Sequence, residues 1–258
     1  MSAGRIEAQV TFATNQVMSV VITAIAGSPF TVTLVAGTYW PGTTLLSSLQ
    51  TQLDAATGLD GAFTVSASLT DTTGTGIVTI AHATQTVTIT WTTATELRDT
   101  LGFTGTLTPA ALTFTGTKHL RGLWLPDSPI DSEYGGEVGH TETDRTTTVT
   151  PTGDIVATAF GSSRVRMGRT SWSHITRPKA RTSAETTTGA SYETWMLDTH
   201  SGRYSYFATA PQVRVYHDSG GAVVGTYRFI WDGSTQMQRA DATWIYLWMI
   251  TLPPAYEV

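Results

Sequence analysis

The segment "GHTETDR" at residues 139–145 sets His140, Glu142 and Asp144 at alternate positions. On a strand, alternate residues share a face, so the three could offer an imidazole and two carboxylates to a metal ion. A metal centre needs its remaining ligands at fixed spacing, and no second cluster supplies them. The chain has no cysteine, which excludes thiolate sites and disulfides. No metal and no cofactor is expected, and the segment reads as a solvated loop.

Nucleophilic and acid–base chemistry fares no better. "LDTHSGRY" (197–204) holds Asp198 and His200. A Ser-His-Asp site also needs a serine on a strained elbow, and no G-x-S-x-G occurs. A turn after a helix explains the same residues. Asp127, Asp131, Glu133 and Glu137 crowd one stretch with Tyr134. Paired carboxylates there could bind a sugar or a cation, or cleave a glycosidic bond. Their setting among prolines and glycines is that of a long exposed loop.

"GTYWPGTT" (37–44) has the G-x-x-x-x-G-x-T spacing of a phosphate-binding loop, between an expected strand and an expected helix. Thr43 stands where that motif needs a lysine. Tyr39 and Trp40 crowd the backbone, and Pro41 removes an N–H donor. The stretch reads as a strand-to-helix turn, with Thr43 or Thr44 as the helix cap.

The sharpest charge feature is "RVRMGRTSWSHITRPKAR" (164–181). It carries Arg164, Arg166, Arg169, Arg177, Lys179 and Arg181 around Trp172, with no acid between Asp154 and Glu185. A basic stretch with an aromatic could follow a phosphate backbone. The net charge of −5 gives no global attraction to nucleic acid. The expectation is therefore a long strand with alternating arginines that pair with acidic loops of a neighbouring subunit. DNA in a channel is the lesser partner.

The elements that must position these residues follow from composition and periodicity. Only 14% of the 258 residues are charged, well below the roughly 25% of an average soluble domain. Threonine, which suits a half-exposed pleated face, takes much of that place. Residues 1–115 carry eight of the charged side chains, and residues 116–258 carry 27 with six of the eight tryptophans. This shift marks two modules, 1–115 and 116–258. The longest apolar run, "VMSVVITAIA", is too short to span a bilayer, so no membrane insertion is expected.

In the first module, strands are expected over 17–25 and 30–36, joined at Gly27-Ser28-Pro29. A helix over 45–56 carries Leu45, Leu46, Leu49 and Leu53 on one stripe and stops at Gly58. Phe63, Val65, Ala67 and Leu69 share a strand face, "IVTIA" follows, and Val87, Ile89 and Trp91 share another. Thr93 and Glu96 have capping-box spacing before a helix that Gly102 ends. The order β-β-α-β-β-β-α gives an antiparallel sheet with two covering helices. The second module is expected to be β-sandwich-like, with strands at 119–125, 146–151, 154–160, 163–175, 212–218, 225–233 and 243–252. One helix is expected near 184–202, with Tyr192, Trp195 and Met196 on one face. The class is α+β, dominated by β.

The succession "TVTLVAGTYWPGTTLLSSLQTQL", "FTVSASLTDTTGTGIVTIA", "VTITW" and "LRDTLGFTG" resembles a module of tailed-bacteriophage structural proteins over residues 20–105. The second module is more loosely similar to tail-tip or tail-tube components. The resemblance implies no enzyme but a ring subunit of the virion tail. Such a subunit is made in the host cytoplasm, pairs with its own copies and meets other tail proteins. Expected interface residues are Arg164, Arg166, Arg169, Arg177, Trp172, Trp244 and Trp248, with Trp124, Trp195 and Trp231 as further aromatic anchors. The loops 126–145 and 176–191 are the expected arms. The alternatives are a carbohydrate-binding module for host-surface attachment and a glycan hydrolase using the acidic loop.

Overall fold

The computed structural model describes residues 4–126 except 24, 60 and 70–73. Beyond them it describes 138–142, 145–149, 155–159, 164–167, 171–181, 190–200, 212–216, 223–229, 236–239, 247–251 and 255–257. The chain begins with β1 (Arg5–Ala8), β2 (Val10–Phe12), β3 (Gln16–Ile22), β4 (Phe30–Leu34) and β5 (Gly37–Tyr39). A π-helical turn over Pro41–Leu45 leads into α1 (Leu46–Thr57). Then come β6 (Phe63–Ala67), β7 (Ile77–His82), β8 (Val87–Thr90), α2 (Thr95–Thr100), β9 (Leu107–Ala111), β10 (Thr113–His119) and β11 (Leu123–Trp124). The second half adds β12 (Val138–Glu142), β13 (Arg145–Val149), β14 (Ile155–Ala159), β15 (Arg164–Met167), β16 (Ser171–Thr176), α3 (Arg177–Ala180) and α4 (Tyr192–His200). It closes with β17 (Val213–Tyr216), β18 (Val223–Phe229), β19 (Gln236–Arg239), β20 (Leu247–Thr251) and β21 (Ala255–Glu257).

The protein is α+β and dominated by antiparallel sheets. The first half holds two sheets and a ribbon rather than the one sheet expected. These are β4-β3-β8-β9, β10-β7-β6 and the pair β2-β5. The divide is at Leu112, the single residue between β9 and β10. β9 pairs with β8 and β10 with β7, so the chain changes sheet there. Neither strand is expected from the sequence; Pro109, which lacks a ladder N–H, is tolerated because β9 is an edge. Residue 115 lies inside β10.

Both sheets and the helices α1 and α2 share one core. Met18, Val20, Val32 and Leu34 from one sheet meet Phe63, Val65, Val78 and Ile80 from the other. Leu45, Leu46, Leu49 and Leu53 of the expected stripe are all buried there, as are Leu97 and Leu101. The helices stop at Gly58 (φ +68°) and Gly102 (φ +78°), where only glycine is unstrained.

The helix starts differ from expectation. The turn before α1 opens at Pro41, whose fixed φ suits a first helical position. Neither Thr43 nor Thr44 caps it; the Thr44 hydroxyl instead accepts the Trp40 N–H at 2.8 Å. At α2 the Thr93 hydroxyl accepts the Val17 N–H at 3.4 Å, and the cap comes from another strand. The Gln16 side chain, 2% exposed, accepts the Leu97 N–H at 3.2 Å.

Among the described residues the largest sheet runs β11-β1-β17-β18-β21-β15-β12 and joins β1 to strands of the second half. β1 lies between β11 and β17, with Ile6 opposite Trp124 and Val215. Ile6, Glu7 and Ala8 are all fully buried, as a central strand requires. β16-β20-β19 and the hairpin β13-β14 are separate.

Candidate functional site

The expected basic strand over 163–175 is two strands in two sheets. Arg164 and Arg166 lie on β15 in the seven-stranded sheet, in register with Glu142 and His140 of β12. Arg164 thus has an acidic position of its own chain directly across the ladder. Trp172 lies on β16 and Trp248 on β20, in the three-stranded sheet, opposite Ile250 and Ile175 respectively. The structure therefore divides the arginine and tryptophan candidates. Arg177 opens α3 and is exposed. Arg169 and Trp244 lie outside the described residues, as do Trp231, Asp144, Asp127, Asp131, Glu133, Tyr134 and Glu137. Asp198 and His200 fall in the last turn of α4.

The start of the expected arm 176–191 is folded inward. Lys179 is 3% exposed, and its Nζ donates to the Gly74 carbonyl at 3.2 Å. Its own carbonyl accepts the Trp124 indole N–H at 3.1 Å, and Trp195 donates to the Gly122 carbonyl at 3.1 Å. Tyr192 meets Trp124 edge-on and Trp195 at a tilt, with centroids 5.1 and 5.8 Å apart. The expected shared face of α4 is real, and Ser191 caps the helix by accepting the Thr194 N–H at 3.1 Å. Trp124 and Trp195, expected as anchors for a neighbour, are instead core of this junction. Burial raises the Tyr192 hydroxyl above its ordinary pKa. Arg181 is held by Glu193 at 3.1 Å.

The loop at 37–44 faces a protein carboxylate. Glu7 is fully buried and its Oε1 lies 3.1 Å from Arg5 Nε. The Gly42 backbone packs directly on that carboxylate, where a Cβ would collide with Oε1. Trp40, 7% exposed, lies under the Arg214 guanidinium at 4.1 Å from the ring centroid. Arg214 is also in register with Glu7 across β1 and β17. Gly42 therefore lets the turn close over an internal ion cluster. Sequence reasoning missed Glu7; the signal was the alternation in "RIEA", with Arg5 and Glu7 on one face and Ile6 and Ala8 on the other.

An open cleft beside α1 is lined by Gln50, Thr51, Asp54, Ala55, Gly58 and Gly61. Its two best polar groups serve the fold. Asp54 accepts the Phe63 N–H at 2.9 Å and Gln50 accepts the Val65 N–H at 3.0 Å, closing the outer edge of β6. Among the described residues no group of three His, Asp or Glu is placed to hold a metal. None of their helices is long and apolar enough to cross a membrane.

The outstanding surface is the outer face of β4-β3-β8-β9. Thr31 and Thr33 on β4, Val17, Ser19 and Val21 on β3, and Thr88 and Thr90 on β8 lie on it, exposed or half-buried. Val21 is 44% exposed, and Val35, just past β4, is 57% exposed. No strand of this sheet carries a charged residue, and none occurs anywhere in residues 8–53. Solvent-facing sheets and their edges are normally protected by charge. Comparison with protein-family models, with curated proteins and with solved structures finds no match to this chain.

Proposed function

We propose that this protein is a structural subunit that works by self-association, in the tail or tail tip of a tailed-phage virion. The observation that carries the assembly reading is the uncharged, threonine-rich outer face of β4-β3-β8-β9. Such a face carries no like charges to repel a copy of itself, and burying it removes few charged groups from water. The phage setting rests on the resemblance of residues 20–105 to modules of tailed-phage structural proteins. Sugar binding by tryptophan platforms draws no support from the tryptophans whose burial is described, since Trp40, Trp91, Trp124 and Trp195 are all buried. Negative-stain imaging of the purified protein across concentration, beside a glycan array, tests the reading. Rings or short tubes with no glycan bound are expected. A persistent monomer that binds a glycan would replace the reading with host-surface attachment.

A further inference from the structure

We infer that the outer edge of β4 is the contact through which two copies of this chain pair, by antiparallel addition of β4 to β4 about a twofold axis. This names the first contact of the assembly proposed above and rests on that reading. The fold leaves a row of backbone groups over at this edge. The Thr23 N–H donates to the Thr86 carbonyl at 3.1 Å, in line with the pairing of Ser19 with Thr90 and Val21 with Thr88. Odd-numbered residues of β3 therefore bond to β8, and even-numbered ones bond to β4. On β4, Phe30, Val32 and Leu34 face β3, opposite Val20, Met18 and Gln16. The N–H and C=O groups of Thr31 and Thr33 are left at the edge. Among the described residues no hydrogen bond takes them up.

The other edges of these two sheets are managed. On β6 the edge N–H groups of Phe63 and Val65 are closed by Asp54 and Gln50. β9 carries Pro109, which has no N–H to give, and its register is irregular. β10 shifts register after Thr115, turns the Thr117 and Lys118 N–H groups to the Gly102 carbonyl, and carries Lys118. β4 is regular, free of proline and uncharged, and alone among these edges has no device against pairing.

The edge is also self-complementary. With Val32 on the twofold axis, Thr31 of one copy lies opposite Thr33 of the other. Each such pair exchanges two N–H···O bonds. Sliding to centre on Thr31 would bring Pro29 into the ladder, which cannot donate. Sliding to centre on Thr33 would need the Val35 carbonyl, already taken by the Tyr39 hydroxyl at 2.7 Å. The register centred on Val32 joins two four-stranded sheets into one and brings the two uncharged faces side by side. A strand joining β4 of one copy to β9 of the next would meet Pro109, so the contact closes as a pair.

Light scattering of the full chain across concentration tests this, with Thr33→Pro removing the edge N–H and T31K/T33K placing lysines beside the ladder. Far-ultraviolet circular dichroism and melting check that each variant folds, and the lysine pair keeps the test open if the proline variant does not. Self-association of the wild type, weakened about tenfold or more in the variants, is the expected result. Association that persists unchanged in both folded variants would overturn the β4 edge and leave the assembly reading intact. A wild type that stays monomeric at every concentration would overturn both.

Discussion

Buried polar side chains in this protein are placed so that one substitution exposes what each does. His82 is 4% exposed and stacks edge-on against Phe63 with centroids 4.8 Å apart. Its Nδ1 accepts two backbone N–H groups, from Thr84 at 3.3 Å and Gln85 at 3.0 Å. That double acceptance requires the neutral ring with its proton on Nε2. Burial lowers the pKa from 6.5, and the Asp54 carboxylate opposes the shift. A lowered folded pKa means that the unfolded chain binds the proton more readily. Stability is therefore full above about pH 6.5 and falls as the pH drops from there toward the folded pKa. Urea unfolding between pH 7.5 and 5 should show this loss, and His82→Asn, which keeps an acceptor but does not titrate, should flatten it. Gly42 gives a second test. Its Cα lies against the Glu7 carboxylate, so Gly42→Ala should cost about 1–3 kcal/mol of stability by overpacking, read from the urea midpoint. An unchanged midpoint would show that the turn can move off Glu7.

At the scale of elements, the parts that periodicity can announce were legible. The leucine stripe of α1, the alternation of β6 and β8, both glycine stops and the aromatic face of α4 all follow from residue spacing. What the sequence hid was the work of residues far apart in the chain. Capping-box spacing at Thr93 and Glu96 pointed to a local cap, but Gln16, on β3, does the capping. No local rule finds a cap from 81 residues away. Gln16→Leu should therefore cost about 1–3 kcal/mol, because the buried Leu97 N–H is left unpaired. Thr93→Ala should cost less, and reversal of that order would return the cap to Thr93. The basic stretch misled for a related reason. Alternation marks a strand but cannot show that the chain leaves one sheet after β15 and enters another at β16. Likewise Lys179 looks like a solvated charge in sequence, and only the docking of α3 buries it. The open edge of β4 was visible as an uncharged run but not as an edge, because edge position depends on every other strand.

At the scale of the whole molecule, the proposed self-association turns on how charge is distributed. The seven-stranded sheet ties the first strand to strands near the end of the chain. Among the described residues, the strands of the β4-β3-β8-β9 sheet carry no charged side chain. An interface built there gains little from Coulomb attraction and has little to lose to screening, whereas arginine-to-acid pairing on β15 would be sensitive to salt within a Debye length of about 8–10 Å. Sedimentation of the full chain over a concentration series, at low and at near-molar sodium chloride, separates the two. Self-association that holds or strengthens at high salt is the expected result. Association that collapses at high salt would contradict it and move the contact to the charged strands, and absence of association at either salt would remove the assembly claim itself.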